Sequence, residues 1–208
     1  MAAMDKERII EGDYTFTSLE DTLDIVEIKE DLHVSGGVIP VGAFPLLSRI
    51  HGSLKVDNAT IQTGAFPLLT NAWSLRAKET VITPGAFPAL AIIISNLGFN
   101  SCPLAPSSFP SLTTTGYLSI ANTNIPSGTF PELSAIGSEK GVFPVGGLGI
   151  KSAIISNGAF PTLARFDRLD AENVTISTGA FPLLTNVGSL QAEETIISPR
   201  AFPDLAFI

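Results

Sequence analysis

The nine residues TGAFPLLTN occupy positions 63–71 and return unchanged at positions 178–186. Their core, a Phe-Pro pair, recurs along most of the chain, with successive phenylalanines mostly 21 or 22 residues apart. A fixed period of this length is typical of proteins built from stacked coils. The repeat therefore predicts a solenoid. The phenylalanines that mark it are Phe44, Phe66, Phe87, Phe109, Phe130, Phe143, Phe160, Phe181 and Phe202.

Further apolar positions keep the same period. Leu54 and Val56 precede Phe66 by twelve and ten residues, and Ile61 precedes it by five. Two apolar residues separated by one other residue place both side chains on one face of a strand. Because one such strand occurs per coil, all strands run the same way and form a parallel sheet. Gly64 permits a turn before the phenylalanine, and the proline after it disfavours a helix, so the far side is expected to be irregular or 3₁₀.

The domain organisation follows from the positions that break the repeat. Phe143 lacks the upstream apolar pair, so residues 134–146 are predicted to carry a loop insertion within one long coil. Residues 32–208 then form a solenoid of about eight coils, and residues 1–31 form an N-terminal cap. In this cap, Ser18 followed by Asp21 has nearly the spacing of a capping box and predicts a short helix.

One coil, YLSIANTNIPSGTFPEL at positions 117–133, resembles the leucine-rich repeat pattern L-x-x-L-x-L-x-x-N-x-L through Leu118, Ile120, Thr123 and Ile125. Small residues at the Asn position and the repeated GAF resemble the BspA type. The stretches LSRIHGSLKV and LTNVGSLQA are similar to receptor L-domain-like repeats of microbial surface proteins. These resemblances imply a right-handed coil with one parallel sheet, and protein binding or adhesion. Without the Asn residues, backbone groups or threonine hydroxyls have to complete the turn.

Composition restricts the classes of partner. The 208 residues carry a formal net charge of −8 and no basic run, which argues against nucleic-acid binding. No apolar stretch reaches the length of a membrane span, and the opening residues lack the apolar segment of a signal peptide. As written, the chain is expected to be soluble and cytoplasmic. If the family resemblance holds and the ends are trimmed, it is expected at the cell surface or outside the cell.

No catalytic constellation is evident. Cys102 is the only cysteine and falls in the inward column, which predicts a buried thiol. The two histidines, His33 and His51, have no partner three or four residues away, and no hydrolase or nucleotide-binding spacing occurs. We therefore expect a non-enzymatic protein without cofactor or metal. Two alternatives stay open: an enzyme with its site on the 134–146 insertion, and Ca²⁺ binding rather than a solvated acidic face at Glu172, Glu193 and Glu194.

The outward residues of the strands are the candidates for binding. Stacking of the coils aligns equivalent positions into columns across the sheet, one end of which is expected to be basic and the other acidic. Trp73 either adds an exposed aromatic surface or fills the seam between strand and turn. We expect a recognition or adhesion module that binds a protein or carbohydrate on the concave sheet face. The candidate ligand-binding residues are Lys55, Trp73, Arg76, Lys78, Tyr117, Arg168, Asp170, Glu172 and Glu193.

Residues 60–91 and 175–206 are far more alike than either is to the coils between them, which indicates a segmental duplication. Function is then expected where the copies differ, as in Trp73 against Gly188. Asn58 and Asn173 begin formal glycosylation triplets at equivalent positions, which matter only for a chain secreted by a eukaryote. The alternative function is assembly, in which the final AFPDLAFI associates with another copy through an uncapped coil.

Overall fold

The computed structural model describes residues 7–137 and 146–205. These residues form a parallel β-solenoid of about 9 turns with a period of roughly 21 residues and almost no helix, which confirms the predicted fold class. Within the described residues, no helix is long and apolar enough to cross a membrane. The strands are β1 (Arg8–Ile10), β2 (Tyr14–Thr15), β3 (Ile25–Ile28), β4 (Leu32–Ser35), β5 (Val38–Ile39), β6 (Arg49–Asp57), β7 (Thr60–Ile61), β8 (Asn71–Lys78), β9 (Val81–Ile82), β10 (Ile92–Asn100), β11 (Thr114–Ala121), β12 (Ala135–Ile136), β13 (Gly147–Ile155), β14 (Arg165–Ile176), β15 (Asn186–Glu193) and β16 (Ile196–Ile197).

Most turns of the solenoid contribute one bent strand to a 13-stranded sheet. In β8 and β10, for example, Asn71 pairs with Ile92 and Leu75 pairs with Leu97, with a register shift between the two segments. A separate sheet of three short strands, β5, β7 and β9, runs along another face, where Ile39, Ile61 and Ile82 point into the core. The sequence predicted only the large sheet.

The phenylalanines of the repeat form one continuous stack through the core. Neighbouring rings from Phe44 to Phe202 lie 4.9 to 5.6 Å apart, close to parallel. Phe130 stacks directly on Phe160, with ring centroids 5.4 Å apart and an interplanar angle of 5°. A single long coil therefore joins these two residues, as the sequence predicted, while Phe143 lies outside the described residues.

Threonine hydroxyls complete the turn after the large-sheet strand, where leucine-rich repeats usually have asparagine. Thr80 Oγ1 donates to the carbonyl oxygens of Lys78 at 2.9 Å and Val56 at 3.1 Å. Thr123 Oγ1 donates to Ala121 O at 2.9 Å and accepts from the backbone N–H of Cys102 at 3.0 Å. The expected role of threonine is confirmed. Cys102 is buried in the same column, and burial raises the pKa of its thiol, as expected of a core cysteine.

The N-terminal residues continue the solenoid with a further turn. β1 pairs in parallel with β3, and β2 pairs in parallel with β4. Phe16 rests on Phe44 at 5.6 Å, and the buried Thr22 donates its hydroxyl to Ala43 O. The predicted short helix is present as a single 3₁₀ turn, Glu20–Thr22.

The predicted helix cap fails. Leu19 occupies the N-cap position without a side-chain hydrogen bond, whereas the Ser18 hydroxyl donates to Asp21 Oδ2 at 2.6 Å. The Asp21 carboxylate also accepts from Thr17, at 3.2 Å. The Ser18 hydroxyl thus bonds a side chain of the turn, and no side-chain hydrogen bond caps the backbone N–H groups of this helix.

The bend in each long strand is the position at which coils vary in length. It holds two residues, His51 and Gly52, between segments of β6, but only Trp73 at the equivalent place in β8. The predicted insertion lies at the same bend of its own coil, between β12 and β13. It begins after Gly137, whose N–H donates to Thr115 O at 2.8 Å. It returns at Gly146, whose N–H donates to Asp167 Oδ2 at 2.8 Å. Residues 138–145, the body of the insertion, lie outside the described residues.

Candidate functional site

The outward columns that the sequence predicted are confirmed by the strand pairing. Each member of a column lies directly opposite the next across the large sheet. The middle column is His33, Lys55, Arg76, Gly98, Ser119, Gly149, Asp170 and Gln191; the second column is Ser35, Asp57, Lys78, Asn100, Ala121, Lys151, Glu172 and Glu193.

Small residues in the middle column leave a depression on the outer face of the sheet. Ser119 and Gly149 lie opposite each other on β11 and β13, where the space above Gly149 is shared with the phenol of Tyr117. A groove of about 480 Å³ opens over Ser119 and Gly149. We call it the central groove. Its charged and polar walls are Lys151, Arg168, Asp170, Glu172, Gln191 and Glu193.

Tyr117 lies beside the central groove and across the glycines of the adjoining strand. A Cβ atom on Gly147 would stand 2.7 Å from Cε2 of the ring, and one on Gly149 would meet the phenolic oxygen. Glycine at both positions is what admits the ring. Burial raises the pKa of the Tyr117 phenol, and the negative charge of Asp170 raises it further.

Ion pairs hold the charged side chains at the C-terminal end of the groove. Arg168 Nε donates to Asp170 Oδ1 at 2.6 Å, and Arg168 Nη2 donates to Gln191 Oε1 at 3.0 Å. The hydrogen bond to Asp170 raises the pKa of Arg168. Lys151 Nζ lies 2.6 Å from Glu172 Oε1. Lys151 and Arg168 thus offset part of the acidic charge that the sequence predicted at this end, and they do so through direct ion pairs.

The other end of the columns is also less basic than expected. Lys55 Nζ lies 2.5 Å from Asp31 Oδ2, so its charge is offset by a residue that precedes the predicted solenoid. Lys78 Nζ lies 3.8 Å from Glu79 Oε1. Arg76 is exposed and contributes the remaining positive charge of this end. Trp73 is 43% exposed at the bend of β8, so a large part of its indole faces solvent.

The predicted binding residues fall into two groups. Arg168, Asp170, Glu172 and Glu193 line the central groove, with Tyr117 beside it. Arg76 lies four strands from Asp170 in the same column, which is about 19 Å at the spacing of a β-sheet. The second group, on β6 and β8, is therefore separate from the groove; it consists of Lys55, Trp73, Arg76 and Lys78.

Some residues of the groove were missed as candidates. Lys151 and Gln191 belong to the predicted columns, yet the candidates included only their hydrogen-bond partners, Glu172 and Arg168. Ser119 and Gly149 were the available signal, since two neighbouring small residues in one outward column leave room between the longer side chains around them. Comparison of the chain with protein-family models, curated proteins and solved structures found no match.

Proposed function

We propose that this protein is a non-enzymatic recognition module that binds a protein or carbohydrate on the outer face of its large sheet. The observation that carries the proposal is the central groove, whose floor of Ser119 and Gly149 is bordered by charged side chains in strand register. Sites of this kind combine an accessible concave surface with a few well-placed polar groups.

The groove is suited to recognition because its polar groups stand on a rigid support. Asp170 and Glu172 alternate with buried core residues along β14, so their spacing is set by the strand. Arg168 and Gln191 offer donors and acceptors beside them. A partner with complementary hydrogen-bonding groups would exchange these contacts for its own without ordering a loop, which lowers the entropic cost of association.

The two aromatic residues extend the proposed surface. Tyr117 borders the groove and Trp73 lies at the bend of β8, both on the outward side of the sheet. Aromatic side chains supply much of the binding energy at recognition surfaces, for peptides and sugars alike. The resemblance to leucine-rich repeats of microbial surface proteins agrees with adhesion, and that assignment is part of the proposal.

A substitution that fills the groove tests the proposal. Ser119→Arg introduces a long side chain on the floor of the groove without altering the core side of β11. Ile154→Arg places the same residue at an exposed position of β13 outside the groove and serves as the matched control. In glycan- and protein-array binding, Ser119→Arg is expected to abolish the signal and Ile154→Arg to preserve it. Equal binding by both variants would refute the groove as the site.

The second group of candidates has its own variant. Trp73→Ala combined with Arg76→Ala removes the exposed indole and guanidinium of β8. If the ligand spans the sheet face from the groove to this group, the double variant binds more weakly than wild type. Unchanged binding would restrict the site to the central groove.

A second function, assembly, is favoured by the last described turn. Leu190 is 44% exposed and Ile197 is 41% exposed, whereas their equivalents Leu75 and Ile82 are buried beneath the next coil. The exposed apolar face of this turn supports the proposal that it packs against a second copy of the chain. Leu190→Lys with Ile197→Lys is expected to abolish concentration-dependent association in sedimentation experiments. Leu183→Lys, at an outward position of the same coil, is the control; association that survives the double change would refute this function.

A further inference from the structure

Three potential metal ligands meet at the N-terminal end of the sheet, outside the central groove. Asp13 precedes β2, and β2 pairs with β4 so that Asp13 lies beside Asp31 of the next turn. His33 follows Asp31 by two residues and therefore faces the same side of the chain. One ligand atom from each of the three residues lies within 4.8 Å of the other two.

The distances between these atoms suit an ion rather than direct contact. His33 Nε2 lies 3.9 Å from Asp13 Oδ2 and 4.0 Å from Asp31 Oδ2, which is too long for a hydrogen bond. Two ligands at the usual 2.0 to 2.2 Å from one Zn²⁺ stand roughly 3 to 4 Å apart. The two distances from His33 are therefore close to what a shared ion requires, and the third pair lies within 4.8 Å, so the exposed side chain of Asp13 has to move inward for all three groups to bind one ion.

Backbone groups orient both carboxylates toward the histidine. Asp13 Oδ1 accepts from the N–H of Asp31 at 3.0 Å, and Asp31 Oδ1 accepts from the N–H of Ser53 at 2.7 Å. In each residue this leaves Oδ2 as the atom that faces His33 Nε2. Hydrogen bonds of this kind fix metal ligands in place and are part of how a site is built.

Lys55 supplies a positive charge to one of these carboxylates, that of Asp31. It lies opposite His33 on β6, and its Nζ is 2.5 Å from the same Asp31 Oδ2 that faces the imidazole. A metal ion and the Lys55 ammonium therefore compete for one oxygen atom. Lys55 has a flexible stem, so it can withdraw when an ion binds.

We propose that Asp13, Asp31 and His33 bind a divalent transition-metal ion such as Zn²⁺, with the remaining coordination positions open to water. The imidazole selects transition metals over Ca²⁺ and Mg²⁺, which prefer oxygen ligands. Asp13 belongs to the first turn, whereas Asp31 and His33 belong to the second. The bound ion links these turns and stabilises the N-terminal end of the solenoid.

The test uses the full chain, freed of metal, titrated with ZnCl₂ by calorimetry and with CoCl₂ by visible absorption. Wild type is expected to bind one ion, and Asp13→Asn or His33→Gln to weaken binding by about tenfold or more. His51→Gln is the matched control, because His51 pairs with Glu27 and is not one of the three clustered ligands. Wild-type affinity in His33→Gln would overturn the proposal, as would loss of binding in His51→Gln.

Lys55→Met gives the sharpest measurement. Removing the competing ammonium is expected to raise Zn²⁺ affinity several-fold, whereas a site elsewhere on the chain would not respond. Zn²⁺ is also expected to raise the midpoint of thermal unfolding of wild type but not of His33→Gln. Unchanged affinity in Lys55→Met, or Ca²⁺ binding as tight as Zn²⁺ binding, would overturn the assignment of these three ligands.

Discussion

The ring of Tyr117 lies against the bare backbone of Gly147 on the neighbouring strand, so close that a Cβ atom on this glycine would stand 2.7 Å from ring atom Cε2. Gly147→Ala is therefore expected to displace the ring and to lower the free energy of unfolding by about 1 to 3 kcal/mol. Urea unfolding measures this loss. Because burial raises the pKa of the Tyr117 phenol, an absorbance titration should show this pKa falling when the ring moves outward.

The same substitution in a Tyr117→Ala background is its control. Without the ring, the added methyl group has room beside the strand, so Gly147→Ala should then cost much less. A double-mutant cycle isolates the contact between the two residues. An equal cost in both backgrounds would show that the backbone of β13, and not Tyr117, requires the glycine.

The duplicated coils allow a matched test of the phenylalanine stack. Phe87 lies between two rings, at 5.1 and 5.6 Å, and is fully buried, whereas its equivalent Phe202 stacks, among the described residues, on one ring, that of Phe181, and is partly exposed. Phe87→Ala is expected to cost about 3 to 5 kcal/mol. Phe202→Ala should cost clearly less, because fewer contacts are lost. Equal losses in chemical unfolding would mean that Phe202 is covered in solution.

The outward columns could be predicted from sequence because every coil anchors its register with buried side chains. Leu54 and Val56 are buried on either side of Lys55, as Leu75 and Ala77 are around Arg76. A slip of one residue would expose an apolar pair in each coil, so the pattern allows a single alignment. The columns did not reveal the ion pair of Lys55 with Asp31, because Asp31 lies outside the columns.

The first turn was not predicted because its residues do not follow the sequence pattern of the repeat. It has no Phe-Pro pair. Thr22 occupies the core position that Ala43 holds in the next coil, and its hydroxyl donates to Ala43 O. The ring of this turn that packs on Phe44 is that of Phe16, which does not lie at the Phe position of the repeat. Without that periodicity, the local Ser18 and Asp21 pattern indicated a helix. The cluster of Asp13, Asp31 and His33 was missed for the same reason, since it depends on how this turn pairs with the next.

The turn before each phenylalanine gives a prediction about backbone strain. The residue two positions before the phenylalanine has a positive φ, 68° at Gly64 and 58° at Ser107. This conformation costs a non-glycine residue about 1 to 2 kcal/mol. Nothing lies closer than 3.8 Å to a Cβ atom on Gly64, so Gly64→Ala should be destabilising through the backbone alone, by about that amount.

Ser107→Gly is the reverse experiment. It removes the strain at Ser107 but also gives the unfolded chain more freedom, so a smaller stabilisation is expected, below about 1 kcal/mol. Thermal or urea unfolding of both variants measures the two effects. A loss of stability in Ser107→Gly would show that the serine contributes more to the folded state than its backbone conformation costs.

The stability of the second turn is expected to depend on pH through Glu27. Its carboxylate lies 2.8 Å from Lys29 Nζ and also contacts His51 Nε2. Hydrogen bonds to Lys29 and His51 lower the pKa of Glu27 from 4.5 to about 2. Because the pKa is lower in the folded state, the stabilisation is fully present above about pH 4.5 and is lost as the pH falls toward 2. Urea unfolding across this range should show a smaller acid-induced loss of stability in Glu27→Gln than in wild type.

Lys29→Met removes the hydrogen bond that lowers the pKa of Glu27 most, so the acid-induced loss of stability should move to higher pH than in wild type. An unchanged pH profile in both variants would mean that other carboxylates control the acid sensitivity of the protein.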